Sequence, residues 1–339
     1  MNVKCYINLE LTRKYVVKNY FKGVPKGEDF EVVEYELPPL NDGEILIKTE
    51  WISVDPYHRA HNKVSKIPYD QFGLQVGVVK ESKDPKFPVG TKMLSHKGWC
   101  DNTIAKDAVQ AGPLDHINIL PDFKGLSPSL ALGALGLIGL TAYAGFLEIC
   151  KPKAGETVVV TAAAGAVGSL VGQIAKIKDC KVIGFAGSDD KVEWLEKELG
   201  FDRAVYLTFT RPLKKAAPKG VDCYFDNVGG EISSIIINQM NKFGRVSVCG
   251  SISSYNEEGS LPKATILQPA IIFQQLIIRG FGVSEWSDRL PKVIPELVDW
   301  IKSGQLKVAE HVTEGFDNIF DAFVGMLAGE NKGKALVKV

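Results

Sequence analysis

The residues best suited to chemistry lie in one run, TAAAGAVGS at residues 161–169. Residues 158–161, which lead into it, predict a buried strand, and residues 169–177, which it opens, predict an amphipathic helix. This is the context in which a glycine turn binds a dinucleotide. Read against G-x-G-x-x-G, Ala163 takes the first position, Gly165 the second and Gly168 the third. Gly165 would let the backbone approach a pyrophosphate, and Gly168 would let the helix pack on the strand. The free N–H groups of the helix start would meet the negative charge. A second strand, at residues 181–186, runs into Gly187-Ser188 where an NAD enzyme would place an acid for the ribose 2′-OH. Asp189 and Asp190 suit a helix cap and first turn. Lys191 could offer its ammonium to the 2′-phosphate of NADP, or lie solvated in that first turn.

Metal chemistry finds no such support. The histidines at 58, 61, 96, 116 and 311 and the cysteines at 5, 100, 150, 180, 223 and 249 form no pattern that zinc requires, and no C-x-x-C occurs. GLQVG at residues 73–77 stands where a zinc alcohol dehydrogenase would show Gly-His-Glu. His58 and His61, near Asp55, read as structural or solvated. Without a Lewis acid an unactivated alcohol or ketone is a hard substrate. A double bond conjugated to a carbonyl is easier, since one hydrogen-bond donor can stabilise the enolate oxygen.

The elements that must position these residues divide the chain in two. Its 339 residues fit about two domains, and 45% hydrophobic with 24% charged residues is an ordinary globular composition. Forty basic against forty acidic residues argues against a nucleic-acid grip. Scattered cysteines predict reduced thiols in a reducing, cytoplasmic setting, and charges at Lys4, Glu10, Arg13 and Lys14 interrupt any signal peptide. Residues 125–147 carry no charge, but Pro128 and five glycines fit close backbone packing better than a membrane span. Residues 1–122 read as short extended runs, with strands at 44–48, 73–80 and 91–94. After residue 123, strand and helix alternate: helix at 190–199, strands at 222–225, 245–249 and 276–280. This predicts a parallel sheet covered on both faces. Residues 310–339 return to extended runs. The expected fold is α/β, with a β-rich substrate domain (1–122 with 309–339) and a doubly wound parallel-sheet cofactor domain (123–308).

Over nearly its whole length the chain resembles the zinc-free medium-chain dehydrogenase/reductases, in the branch of prostaglandin reductases and 2-alkenal reductases. The resemblance rests on VDPY at 54–57, LALG at 130–133, GLTAY at 139–143, AAAGAVG at 162–168, GSDDK at 187–191, YFDNVGG at 224–230, Cys249-Gly250 and ISSYN at 252–256. It implies a GroES-like fold for the substrate domain and a Rossmann fold for the cofactor domain. It implies NADPH-dependent reduction of the C=C bond of α,β-unsaturated aldehydes and ketones, of the 2-alkenal or 15-oxoprostaglandin 13-reductase type, with hydride delivered to the β carbon. It also implies a homodimer acting on lipid-derived enones, with no nucleic-acid or membrane partner. By the same resemblance Gly165, Ala166, Val167 and Gly168 hold the pyrophosphate and Lys191 the 2′-phosphate, while Asn227 faces the nicotinamide half. Cys249, Gly250, Ser251, Ile252, Ser253, Ser254 and Tyr255 line the cofactor and the substrate mouth. Phe281, Gly282 and Val283 wall the nicotinamide, Asn331 contacts the cofactor, Tyr255 bonds the substrate carbonyl or the ribose 2′-OH, and Tyr57 lines the substrate pocket. The sequence departs from the family at His58, where a Met is usual, and at Leu137-Ile138, where Met-Pro is usual. Tyr206-Leu207 suggests a one-residue shift of the tyrosine that joins the lysine at the 2′-phosphate, and residues 207–220 form a short segment. The residues themselves leave blander roles open: Tyr255 packed in a loop, Tyr57 in the core, Arg59 as an ion-pair partner, Asn227 as a turn former and Cys249 inert. A quinone or diketone reductase on the same scaffold, or a nucleotide-binding protein without turnover, are the alternative functions.

Overall fold

The computed structural model describes residues 11–63, 65–106, 108, 117–206, 211–257 and 265–339. Cys5, His116, Leu207 and the first ten residues of the chain lie outside the described residues. Two compact units emerge: Met1–Asp122 with Val312–Phe323 and Leu336–Val339, and Phe123–His311 with Val324–Ala335. Thus 309–311 and 324–335, expected in the substrate domain with the rest of 309–339, cluster with the cofactor unit.

The first unit begins with β1 (Leu11–Val17), β2 (Phe30–Glu36), β3 (Glu44–Ser53), the single-turn α1 (Tyr57–Ala60) and β4 (Tyr69–Asp70). It continues with β5 (Gln75–Ser82), β6 (Lys92–Ser95), β7 (Asn102–Lys106) and β8 (Asn118–Ile119). The strands are antiparallel, with β1 between β2 and β4, and β3 between β5 and β7. Apolar side chains from the inward faces, Ile45, Ile47, Val79 and Met93 among them, make the core.

The second unit opens on α2 (Leu137–Cys150) and then alternates through β9 (Thr157–Val160), α3 (Ala166–Ile177), β10 (Lys181–Ala186), α4 (Asp189–Lys197) and β11 (Arg203–Tyr206). It goes on through α5 (Arg211–Ala216), β12 (Val221–Asp226), α6 (Gly230–Ile237), β13 (Met240–Val248), α7 (Gln268–Gln274), β14 (Ile277–Gly280) and α8 (Leu290–Lys302). The six strands are parallel in the order β11-β10-β9-β12-β13-β14. Strand order reverses between β9 and β12, so a crevice is expected at their C-terminal ends. All four residues of β9 are buried, as a strand covered on both faces requires.

The glycine-rich stretch packs on protein. A Cβ on Gly136 would fall 1.8 Å from Ala131 O, one on Gly139 1.9 Å from Ala134 O, and one on Gly145 2.4 Å from the Phe281 ring. No helix among the described residues is long and apolar enough to cross a membrane.

The chain ends with β15 (Glu310–Glu314), α9 (Ile319–Leu327) and β16 (Lys334–Lys338). Helix α9 corrects the expectation of extended runs. Ile319, Phe323 and Met326 are buried at helical spacing, and the apolar Phe320 and Val324 between them hide that period in the sequence.

Candidate active site

The first turn of the crevice is built from backbone. The Thr161 N–H donates to Phe225 O (3.2 Å) and the Ala163 N–H to Phe185 O (2.8 Å), which ties the turn to both neighbouring strands. Ala162 takes the positive φ of 49°, and the Gly165 N–H closes on Ala162 O at 3.0 Å. Ala163 is tolerated at the first glycine position because Gly184 opposes it: a Cβ there would lie 2.9 Å from the Ala163 Cβ. Gly168 is compulsory, since its Cβ would meet Ala162 O at 2.4 Å and Ala163 Cα at 2.9 Å. No side chain caps Gly165 at the start of α3. The first N–H groups of that helix, those of Ala166, Val167 and Gly168, are therefore available to an anion, each such interaction contributing about 0.3–1 kcal/mol.

Against this turn lies the 329–333 segment. The Gly333 N–H donates to Ala164 O at 2.8 Å, and Asn331 Nδ2 to Gly333 O at 2.7 Å. Lys191, buried and unlike a solvated first-turn lysine, donates Nζ to Gly329 O. Burial pushes its pKa down. Lys332 from the same segment pairs with Asp190 at 3.0 Å. Tyr206 ends β11 in register with Ala186, the last residue of β10, so it stands at the same sheet edge as Gly187.

On the other side of the crevice, Asp226 ends β12 and organises the turn into α6. Its Oδ1 accepts the N–H of Val228 (3.0 Å) and Gly229 (2.9 Å), and its Oδ2 accepts Ser233 Oγ (2.6 Å). Hydrogen bonds to a charged group are worth about 1.5–3 kcal/mol each. Asn227 donates its N–H to Thr161 Oγ1 (3.0 Å) and its Nδ2 to Thr161 O (2.7 Å), locking the ends of β9 and β12 together.

The 249–255 loop hangs on this turn. The N–H groups of Cys249 and Gly250 both donate to Asp226 O (2.8 and 3.1 Å), and that of Ser253 donates to Val228 O (3.1 Å). Gly229 and Gly230, at φ 69° and 64°, make room: Cβ atoms there would fall 2.5 Å from Ser251 Oγ and 3.0 Å from Ser253 Oγ. Ser251 and Ser254 bond through their hydroxyls at 2.9 Å, and Ile252–Ser254 form a single 3-10 turn. Tyr255 is folded back so that its hydroxyl oxygen accepts the Ser251 N–H at 3.3 Å. One lone pair is thereby used and the O–H proton remains to be donated. Cys249 is a poor nucleophile: burial, then the Asp226 charge, lifts its thiol to about 12.

Phe281 turns its ring onto Gly145, Phe225 (6.3 Å) and Trp286 (5.2 Å), while Gly282 and Val283 lead into the next helical turn. The structure thus brings together residues 165–168, Lys191 and Asn331 at one end of the crevice, and Asn227 with 249–255 at the other. Sequence reasoning gave no role to Asp226, inside the motif at 224–230, or to Lys332. The Asp226 side chain bonds within its own turn, to Val228, Gly229 and Ser233, but its carbonyl's hold on Cys249 and Gly250 and the Lys332–Asp190 pair join residues distant in the chain and leave no local signal.

In the first unit, Tyr57 stacks on Phe72 (5.9 Å, 17°), which also stacks on Tyr69 (6.2 Å) and His96 (6.3 Å). Burial raises the Tyr57 phenol well above its ordinary pKa. His58 is fully buried, its Nδ1 accepting the Asp55 N–H at 3.2 Å and its ring edge-on to Trp99, so it is a core residue. Arg59 is buried too and donates to Gly23 O at 3.1 Å. Among the described residues no group of three or more His, Cys, Asp or Glu could hold a metal ion.

Comparisons with known proteins agree with this division. Residues 13–111 match the family described as the N-terminal domain of oxidoreductase, and residues 166–303 the family described as zinc-binding dehydrogenase. Prostaglandin reductase 1 of Bos taurus is 48% identical over 332 residues, covering 96% of this chain and 98% of that one. The 2-alkenal reductase (NADP(+)-dependent) of Nicotiana tabacum is 36% identical and covers 97% of this chain and 98% of its own. The crystal structure of CurA in complex with NADPH from Vibrio vulnificus superposes with a TM-score of 0.88 at 34% identity, covering 96% of this chain and 99% of that one.

Proposed function

The chain belongs to the medium-chain dehydrogenase/reductase superfamily, within the branch of prostaglandin reductases and 2-alkenal reductases, and we propose from that premise that its own substrates are lipid-derived 2-alkenals and oxidised prostaglandins. The reaction is NADPH-dependent reduction of the carbon–carbon double bond of an α,β-unsaturated aldehyde or ketone. The residues present suit the cofactor: a turn in which a Cβ at Gly168 would strike backbone, an uncapped helix start, and Gly187-Ser188 followed by Lys191 where an NAD enzyme would place an acid. Gly165, Ala166, Val167 and Gly168 hold the pyrophosphate, Lys191 the 2′-phosphate, and Asn331 and 249–255 flank the rest. When bound, NADPH supplies the hydride that adds to the β carbon.

The single observation that carries the mechanism is Tyr255 with its oxygen bonded to the Ser251 N–H and its proton free to give. As charge moves from the β carbon to the carbonyl oxygen, Tyr255 donates to that oxygen, a bond stronger in the transition state than in the ground state. The α carbon then takes a proton from solvent or from Tyr255. By the family resemblance Tyr57 belongs to the substrate pocket. The test mixes the full chain, NADPH and a medium-chain 2-alkenal and identifies the product by mass and NMR. A saturated aldehyde is expected; an allylic alcohol overturns the reading.

The protein forms a homodimer through its open sheet edge. Every residue of β14 is exposed, and the exposed Ile266, Ile272 and Phe273 lie in and beside α7, which packs on β13. Such an edge recruits a second strand. Light scattering of wild type and Ile278→Lys tests this, and a wild-type monomer refutes it. The described cysteines, Cys100, Cys150, Cys180, Cys223 and Cys249, are unbridged thiols, which supports residence in the cytoplasm.

A further inference from the structure

We infer that Lys332 is the second cation of the 2′-phosphate subsite, beside Lys191, and that Asp190 holds it in place until the phosphate arrives. This rests on the reading that NADPH is the cofactor and Lys191 its 2′-phosphate ligand. A phosphate monoester near neutral pH carries close to two charges, and one lysine leaves part of that charge unmatched. Lys191 also spends one of its donors on Gly329 O.

The 329–333 turn delivers a second ammonium to the same place. Lys332 Nζ lies 3.0 Å from Asp190 Oδ2, and Asp190 immediately precedes Lys191 in the first turn of α4. Ser188 Oγ donates to the other oxygen of that carboxylate. Asp190 therefore collects one ammonium and one hydroxyl, the donor set that a phosphate oxygen would take. Those two partners hold its pKa at about 2, so it stays anionic throughout the working range. The turn is held on both sides, by the Gly333 N–H on Ala164 O at 2.8 Å and by Lys191 on Gly329 O, so Lys332 is presented by a fixed backbone. The Lys332–Asp190 pair itself is exposed, with side chains 38% and 64% accessible. An exposed pair of this kind is weak, and a phosphate dianion can displace the carboxylate. Removing Lys332 both deletes a cation and leaves Asp190 to repel the phosphate.

The test titrates the full chain with 2′,5′-ADP and with 5′-AMP, following heat or tryptophan fluorescence, in wild type, Lys332→Ala, Lys332→Arg, Asp190→Asn and Lys191→Ala. Lys332→Ala should weaken 2′,5′-ADP about tenfold and leave 5′-AMP within about twofold, whereas Lys332→Arg should keep the preference. Asp190→Asn should tighten 2′,5′-ADP a few-fold, about threefold. Equal loss of both ligands in Lys332→Ala, meaning a turn that is only structural, overturns the inference, and so does no loss of either. Wild type that binds both ligands equally overturns the cofactor reading along with it. Discrimination abolished by Lys191→Ala but kept by Lys332→Ala refutes the role of Lys332 alone.

Discussion

The two ends of the crevice in the cofactor unit are made of different materials. At the proposed phosphate end the candidate partners are charged: Lys191 reaches Gly329 O and Lys332 pairs with Asp190, beside the uncapped start of α3. At the Tyr255 end, among the described residues, uncharged hydrogen bonds to the backbone carbonyls of Asp226, Asn227 and Val228 tie the 249–255 loop to the β12 turn. Charge suits affinity for a dianion, since it attracts ligand from a distance and tolerates small errors of position. Oriented neutral donors suit catalysis, since they act on charge that appears at one atom during the reaction. The phosphate end should therefore set which dinucleotide binds and respond to salt, and the Tyr255 end should set the rate.

The largest test of that division is Gly168→Val, which puts a branched side chain where a Cβ alone would lie 2.4 Å from Ala162 O. Backbone cannot give way as a side-chain tip can, so we expect cofactor affinity to fall by about a thousandfold and stability by about 1–3 kcal/mol, read by NADPH titration and thermal melting. Retained binding would show that this turn does not carry the pyrophosphate. Next comes Tyr255→Phe, expected to lower kcat about a hundredfold with the Kd for NADPH unchanged. A variant that instead loses cofactor and keeps its rate would reverse the roles of the two ends. Lys191→Ala should cost about tenfold in NADPH affinity, reduce the salt dependence of binding, and leave kcat at saturation near wild type. A slower hydride step at saturating NADPH would break the comparison from the other side.

The smallest effect concerns a carboxylate outside both ends. Glu310 accepts Ser129 Oγ at 2.8 Å through Oε2, while its Oε1 is buried without a hydrogen-bond partner. Burial raises its pKa above 4.5 in the folded state. The folded protein then binds this proton more tightly than the unfolded chain, so the stability it contributes is complete below the unfolded value and is lost as pH rises through the raised folded value. Glu310→Gln should melt progressively higher relative to wild type as pH rises from about 4 to about 7. A difference that does not change with pH would mean that Glu310 is not desolvated.

Much of the architecture was legible because burial writes itself into local sequence. The run at 181–186 became β10 with the same limits, and β9 with its glycine turn and α3 lay within a few residues of where periodicity put them. Tyr206, which the spacing had suggested to be displaced by one residue, closes β11 opposite Ala186. Helix α9 was not legible, since apolar residues on two adjacent faces erase the helical period. Nor was the reason that Ala163 can replace a glycine, which lies in Gly184 on the neighbouring strand.

The amino-acid order by itself determined that a strand, a tight turn and a helix would present unpaired N–H groups to an anion, and that no acid would wait for a ribose hydroxyl at the end of the next strand. Both are properties of contiguous residues and need only local geometry. Tertiary structure alone decided that the Asp226 carbonyl would hold the 249–255 loop and that the 329–333 turn would reach Lys191 and Asp190. Those contacts join residues far apart in the chain, and their distances come from strand order and packing rather than from spacing along the sequence.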